Sequence, residues 1–420
     1  MATQRNRLAL RALSLIGVAG ALLPLAATAA PARGTVLNSN VLTSYTRQAI
    51  GTLLANDQSP DQAKCDVRVA EFTYATIGVD GEPTTASAAL LVPGGSQCPG
   101  PFPLVSYNQG TESQRRAEQA KEIRDAKGDQ TMVTHLATQG YVVVSSDYLG
   151  IGRSTYAFHP YLHAASEASA TIDALRAARQ VLQRLNTPLS GKVMLTGYSQ
   201  GGHAAMATQR EIEAHLSNEF NLVASAPISG PYALSQTFRD SWSGRNAVGE
   251  NTFGIVLASY AIVGMQRTYH NLYLDPAQVF QDPWAKQVEA LFPGKQSLTD
   301  LVLGDTLPGV DKIRQYFQPG FYKDFASNAN DPFLRDLERN DLLDWAPRTP
   351  TLLCGSDNDA TVPLKNATTA VAAFQARGSH QATVLDLGTG KPSDNSALEH
   401  LFTEEACTIA VRQQLFDKLR

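Results

Sequence analysis

A serine that attacks a carbonyl carbon must be lifted clear of its surroundings and paired with a base. Ser199 meets the first need, because Gly197-Tyr198-Ser199-Gln200-Gly201 is the only G-x-S-x-G in the chain. The residues before it, Lys192-Val193-Met194-Leu195-Thr196, read as a short buried strand, and the alanine-rich stretch from about Gly201 to Leu216 reads as a helix. Small flanking residues permit a tight turn between them. The helix N-terminus then offers free N–H groups and a positive dipole end to a developing oxyanion. A hydroxyl is a weak nucleophile, so a histidine oriented by a carboxylate is also required. For a serine on a strand-to-helix turn, the chain order is serine, acid, histidine. Asp357 and Asp359 lie together in a loop after Thr351-Leu352-Leu353, and either suits the acid. Of the two histidines beyond that loop, His380 precedes the last strand and His400 follows it, which makes His400 the expected base. The chemistry this set supports is acyl transfer through an acyl-enzyme, with no cofactor and no metal.

The elements that must position these groups alternate. Glu71 to Pro93 reads as a hairpin around Asp80-Gly81, and Phe102 to Tyr107 as a buried strand. A charged helix over about Arg115 to Gln139 leads to a strand at Tyr141 to Asp147. Ala164 to Leu185 carries Ile172, Leu175, Ala178, Val181 and Leu182 at helical spacing. The strand before Ser199 comes next, then its helix, then a strand at Leu222 to Pro227. Strands alternating with helices predict an α/β fold with a mostly parallel sheet and helices on both faces. From about Ser235 to Ala346 the alternation stops. That segment is aromatic-rich and mainly helical, broken at Pro276, Pro283, Pro293, Pro308 and Pro319. Strands at Thr351 to Leu353 and Ala382 to Leu387 then resume the pattern, and a helix closes the chain. The expected organisation is a core over 31–234 and 347–420 with a helical cap inserted over 235–346. Within the cap, Phe253 to Val263 reads as a helix with Gly254 inside it. A mid-helix glycine costs about 1 kcal/mol relative to alanine, so close packing of another backbone, or of an acyl chain at a substrate-binding Gly254, is the expected reason for it.

Several segments together resemble a known family. Ser146-Asp147-Tyr148-Leu149-Gly150-Ile151-Gly152, His159-Pro160-Tyr161-Leu162, Gly197-Tyr198-Ser199-Gln200-Gly201-Gly202 and Asp359-x-x-Val362-Pro363 are similar to the secretory lipase family of the α/β-hydrolase superfamily. The likeness is greatest to LipA-type secreted lipase/esterases of plant-pathogenic bacteria, and it covers most of the chain. It implies the α/β-hydrolase fold with a large helical cap, a triad of Ser199, Asp359 and His400, and ester cleavage in plant cell-wall material after secretion. The x-x-V-P following Asp359 favours it over Asp357. An oxyanion hole needs two donors, and the backbone N–H of Gln200 is the first. The loop Tyr107-Asn108-Gln109-Gly110-Thr111 resembles the His-Gly-x loop of many lipases, with Gln109 in place of histidine. It points to the N–H of Thr111, or else of Gly110, as the second. The pieces around residues 146 to 162 have a plain structural reading and receive no catalytic role.

Composition bounds the alternatives. Of 420 residues, 43% are apolar and 18% charged, and 35 basic against 39 acidic side chains leave a net charge of −4. That is a globular composition with no basic field for nucleic acid. Arg5, Arg7 and Arg11 precede a nearly apolar Ala12 to Ala29, and cleavage after Ala29 or Ala32 would follow a small-x-small pattern. The expectation is a cleaved signal peptide over 1–30, a periplasmic or extracellular product, and no transmembrane segment after it. Four cysteines in an exported chain predict two disulfides, paired as Cys65–Cys98 and Cys354–Cys407 within the two halves of the core. His159 and His163, four apart, are set aside as a metal pair because Pro160 interrupts them and no H-E-x-x-H is present. The expected partner is a small or polymer-attached acyl ester. Two other functions fit parts of this pattern. One is a secreted serine peptidase on the same fold, and the other is a non-catalytic binding module that has kept it.

Overall fold

In the computed structural model the described residues are 30–245, 248, 252–304, 306–308, 313–388 and 396–420. Residues 1–29 of the expected signal peptide lie outside them. Nine strands form one sheet: β1 (Val36–Tyr45), β2 (Asp66–Ile77), β3 (Pro83–Gly94), β4 (Phe102–Asn108), β5 (Val142–Ser146), β6 (Leu189–Tyr198), β7 (Asn221–Ile228), β8 (Thr351–Gly355) and β9 (Ala382–Asp386). Their spatial order is β1-β2-β3-β5-β4-β6-β7-β8-β9. The first three pair antiparallel, and everything from β5 to β9 is parallel. This is the mostly parallel α/β sheet that the alternation of elements predicts, in the α/β-hydrolase arrangement that the resemblance implies.

The central parallel strands are buried on both faces, as such strands require. Neighbouring residues of one strand point to opposite sides. Leu104, Val142, Val193 and Leu195 join Ile172, Leu175 and Leu182 of the helix Ala164–Arg184 and Met206 of the helix Gln200–His215. Val105, Val143 and Met194, each one residue on from a member of the first set, face the other way. There they meet Ile50, Leu54, Ile123, Leu136, Val411 and Phe416. Cys65–Cys98 and Cys354–Cys407 form the two disulfides, in the predicted pairing.

One local reading needs correction. The long helix expected over Arg115 to Gln139 is only Gln119–Asp125, followed by a π turn at Met132–Leu136 and a 3-10 turn at Ala137–Gln139. Lys127 and Gly128 both take left-handed φ, +56° and +85°, and turn the chain out of the helix. In addition, β1 and the helices Arg47–Asn56 and Lys365–Ala376 form where the sequence pattern predicts no element.

Residues between 234 and 337, joined by Tyr161 and Leu162, form a separate apolar cluster with Trp242, Tyr260, Phe280, Phe292, Tyr316, Phe317, Phe325 and Phe333 among its members. Their aromatic content is thus mostly used in packing; Trp242 and Phe325, for example, meet edge to face at 4.4 Å. This segment is bonded to the loop after β4. The Gly294 N–H donates to the Ser113 carbonyl at 2.8 Å, the Arg115 N–H donates to the Gly294 carbonyl at 3.0 Å, and the Tyr260 hydroxyl donates to the Glu112 carbonyl at 3.0 Å.

Candidate active site

Ser199 sits between β6 and the helix Gln200–His215 with φ +58° and ψ −118°, a conformation that a non-glycine residue rarely adopts. The neighbouring glycines explain how the turn fits. A Cβ on Gly201 would lie 1.9 Å from the Asn108 carbonyl oxygen, and one on Gly197 2.4 Å from the Gly201 carbonyl oxygen. The end of β4 is pressed against the turn, so only a missing side chain leaves room. The serine is thereby held at the sheet's C-terminal edge, where ligands of open α/β sheets bind.

Two distant loops converge on it. The Ser199 Oγ lies 2.9 Å from His400 Nε2, and His400 Nδ1 lies 2.6 Å from Asp359 Oδ2. The other carboxylate oxygen of Asp359 accepts the N–H groups of Thr361 and Val362, both at 2.8 Å. A carboxylate so engaged fixes the proton on Nδ1 and leaves Nε2 as the acceptor for the serine hydroxyl. The three residues are only 7%, 3% and 4% exposed for Ser199, Asp359 and His400, so little water competes for these bonds. Cys354 at the end of β8 is joined to Cys407 on the helix Ser396–Val411, which carries His400. Asp357 is exposed and its N–H bonds Asp386, away from the histidine, and His380 is exposed as well.

Two hollows open on Ser199. One is lined by Gly110, Thr111, Tyr198, Ser199, Leu401 and His400, on the side where an oxyanion and a leaving group would lie. The other is largely apolar and runs into the segment 234–258, past Tyr161, Leu234, Phe238, Trp242, Gly254 and Leu257. Gly254 does border this cavity. A Cβ there would also come within 1.9 Å of the Val248 carbonyl oxygen, so backbone packing and cavity lining meet at one residue. The backbone N–H of Gln200 opens the helix beneath the serine, as its position in sequence suggests.

Several contributors were not legible in sequence. Tyr198 packs on His400, and His159 and Tyr161 touch Gln200 and Thr111 respectively. The His159-Pro160-Tyr161 signature was visible, but nothing local shows that it reaches the serine turn. Among the described residues no group of three or more His, Cys, Asp or Glu side chains is arranged to hold a metal ion, and no helix is long and apolar enough to cross a membrane.

The model of the family described as secretory lipase matches residues 119–402. The chain is similar to the rice cell wall degrading esterase LipA from Xanthomonas oryzae, with 72% identity over 93% of this chain and 100% of that one, and a TM-score of 0.91. Two more distant structures share the fold. One is from Legionella pneumophila (23% identity, 90% and 97% of the two chains, TM-score 0.79). The other is Candida antarctica lipase A (18% identity, 84% and 76% of the two chains, TM-score 0.60). Comparison with curated proteins gave no match.

Proposed function

The chain belongs to the secretory lipase family, and from this we propose that it is an exported serine esterase or lipase acting on acyl esters of plant cell-wall material. The observation that carries the serine mechanism is the unbroken line from Ser199 Oγ to His400 Nε2 at 2.9 Å and from His400 Nδ1 to Asp359 at 2.6 Å. Ser199 Oγ attacks the ester carbonyl carbon while His400 Nε2 takes its proton. Asp359 holds the imidazole in place and stabilises its positive charge. The oxyanion forms between the N–H of Gln200 and that of Gly110 or Thr111. The tetrahedral adduct collapses, the C–O bond to the alcohol breaks, and His400 returns the proton to the leaving oxygen. Water, deprotonated by His400, then attacks the acyl-enzyme and frees the acid and the serine.

The wall-ester substrate rests on the likeness to LipA, whereas the apolar cavity beside Ser199 supports an acyl chain bound under a cap over 235–346. The N-terminal pattern of residues 1–30 supports export. The deciding experiment is Ser199→Ala together with labelling by a fluorophosphonate probe. The variant should lose several orders of magnitude in hydrolysis of p-nitrophenyl esters, keeping roughly 10³–10⁴ over water, and the probe should label wild type at Ser199 alone. Retention of more than about a tenth of the activity would sink the proposal.

A further inference from the structure

Residues 146 to 162 have no part in the triad, yet they bond to both chain segments expected to form the oxyanion hole. Tyr148 is fully buried and holds φ +69°, a left-handed conformation costly for a bulky side chain. Its hydroxyl donates to the Gln109 carbonyl at 3.0 Å. Because the peptide unit is planar and trans, pinning that carbonyl also fixes the direction of the opposed Gly110 N–H. The Gln109 side-chain amide returns to the Asp147 carbonyl, although at 3.4 Å. Next along the same loop, the Thr111 hydroxyl is bonded to the Tyr161 hydroxyl at 2.7 Å.

The other half of the hole is held from the same segment. His159 Nδ1 lies 2.8 Å from the Leu149 carbonyl and must donate to it, which leaves Nε2 as an acceptor. Burial keeps this ring's pKa below the ordinary histidine value, in agreement with a neutral imidazole. The Gln200 side-chain amide donates to that Nε2 at 2.8 Å and, with its second hydrogen, to Glu167 at 2.9 Å. The His159 ring is stacked on Tyr148, with centroids 5.7 Å apart. One short stretch thus grips Gln109, Thr111 and Gln200, which come from two different strand ends.

We propose that Tyr148, His159 and Tyr161 are positioning residues that hold the two donors of the oxyanion hole, on the Gln109–Thr111 loop and on Gln200, at a fixed separation. The inference rests on the serine-esterase reading above and deepens it. Electrostatic stabilisation of an oxyanion depends on donors already aimed before the reaction starts. Loosening this brace therefore raises the barrier without weakening ground-state binding. Were the same contacts merely satisfying buried polar groups, their loss would cost stability and leave catalysis by the folded enzyme unchanged.

The test uses Tyr148→Phe and Tyr161→Phe in the full-length enzyme, since each removes a hydroxyl and keeps the ring. The measurements are kcat and KM for p-nitrophenyl butyrate, Ki for an alkyl boronic acid, pH dependence of kcat, and Tm. The boronic acid becomes tetrahedral on the serine and places a negatively charged oxygen in the hole. Tyr148→Phe should lower kcat about tenfold or more, with KM within about twofold, Ki raised by a similar factor to the loss in kcat, and the pH midpoint unmoved. Tyr161→Phe, which holds a side chain rather than a peptide, should lose less and show the same pattern. If Tyr148→Phe does not fold, Tyr161→Phe carries the comparison alone. Unchanged kcat in the folded variants, or a loss of kcat with boronate affinity intact, overturns the brace. If Ser199→Ala is inactive and these variants are fully active, the brace alone falls. If Ser199→Ala stays active, the serine reading falls first.

Discussion

The Tyr198 ring lies against the His400 imidazole, with centroids 4.8 Å apart, and the Tyr198 hydroxyl donates to the His400 main-chain carbonyl at 2.7 Å. The residue preceding the serine therefore covers one face of the histidine and also ties down its backbone. A histidine near the start of a helix would otherwise depend on Asp359 alone for its orientation. Serine and histidine are thus referred to the same strand end, which keeps their separation insensitive to movement elsewhere.

Tyr198→Phe keeps the ring contact and removes the hydrogen bond. We expect kcat to fall by roughly three- to tenfold with little change in KM, because only the reacting geometry is loosened. Tyr198→Ala should lose far more, with a lower Tm from the cavity left behind. Steady-state kinetics on a p-nitrophenyl ester decide the point, and a Tyr198→Phe enzyme with wild-type kcat would show that the stacking alone suffices.

Asp359→Asn should reduce kcat by roughly 10⁴, since an amide holds the imidazole in the wrong tautomer. Asp357→Asn should stay within about twofold of wild type, because Asp357 is exposed and it is Asp359 that bonds His400. The reversed ranking would transfer the role of acid to Asp357.

The apolar cavity makes a prediction about chain length. Gly254→Phe should depress hydrolysis of long-chain esters far more than of acetate esters. The Val248 carbonyl stands 1.9 Å from any Cβ placed there, so that variant also strains its helix. Leu257→Ala, which borders the same cavity and only enlarges it, supplies the companion measurement: relative rates on decanoate against acetate esters should rise. An equal change for all chain lengths in both variants would mean that the cavity does not hold the acyl group.

Stability should carry a pH signature from Asp147, whose pKa burial pushes up to about 7, with Glu118 and Glu122 adding repulsion. The folded state thus keeps this proton between about pH 4 and 7, where the unfolded chain has released it. Its contribution is most favourable at the acid end of that window and is lost as the pH rises through it. Asp147→Asn removes the slope. Between pH 4.5 and 7.5 wild type should lose on the order of 3–4 kcal/mol relative to the variant, read by urea unfolding at both pH values. Parallel curves would show that Asp147 is ionised throughout.

The parts of this site legible in sequence are those whose signal is local. A serine between glycines, with a strand before it and a helix after, can be read from a few residues, and Asp359-x-x-Val-Pro likewise. The buried strands β4 and β5 read as apolar runs because both of their faces are covered. β1 did not, since as an edge strand it leaves most of its side chains in water and its pairing is decided by β2. The helix lost after Asp125 depended on two left-handed residues, Lys127 and Gly128, which charge patterning does not reveal. Tyr148, His159 and Tyr198 were missed for a different reason. Their partners are remote in the chain (Tyr198 and His400 are 202 positions apart), and only the folded sheet brings them together.

The bonds from Ser113 and Arg115 to Gly294, and from Tyr260 to Glu112, have a consequence for how substrate enters. The roof of the cleft and the loop expected to cradle the oxyanion are sewn along one seam. Swinging the roof aside like a hatch would pull that loop out of shape just when it is needed. On the esterase reading, the doorway is therefore expected to keep one outline, and that outline to sort the esters that pass. An oil droplet has no latch to spring, so the rate should follow dissolved ester smoothly, with no jump where droplets first form.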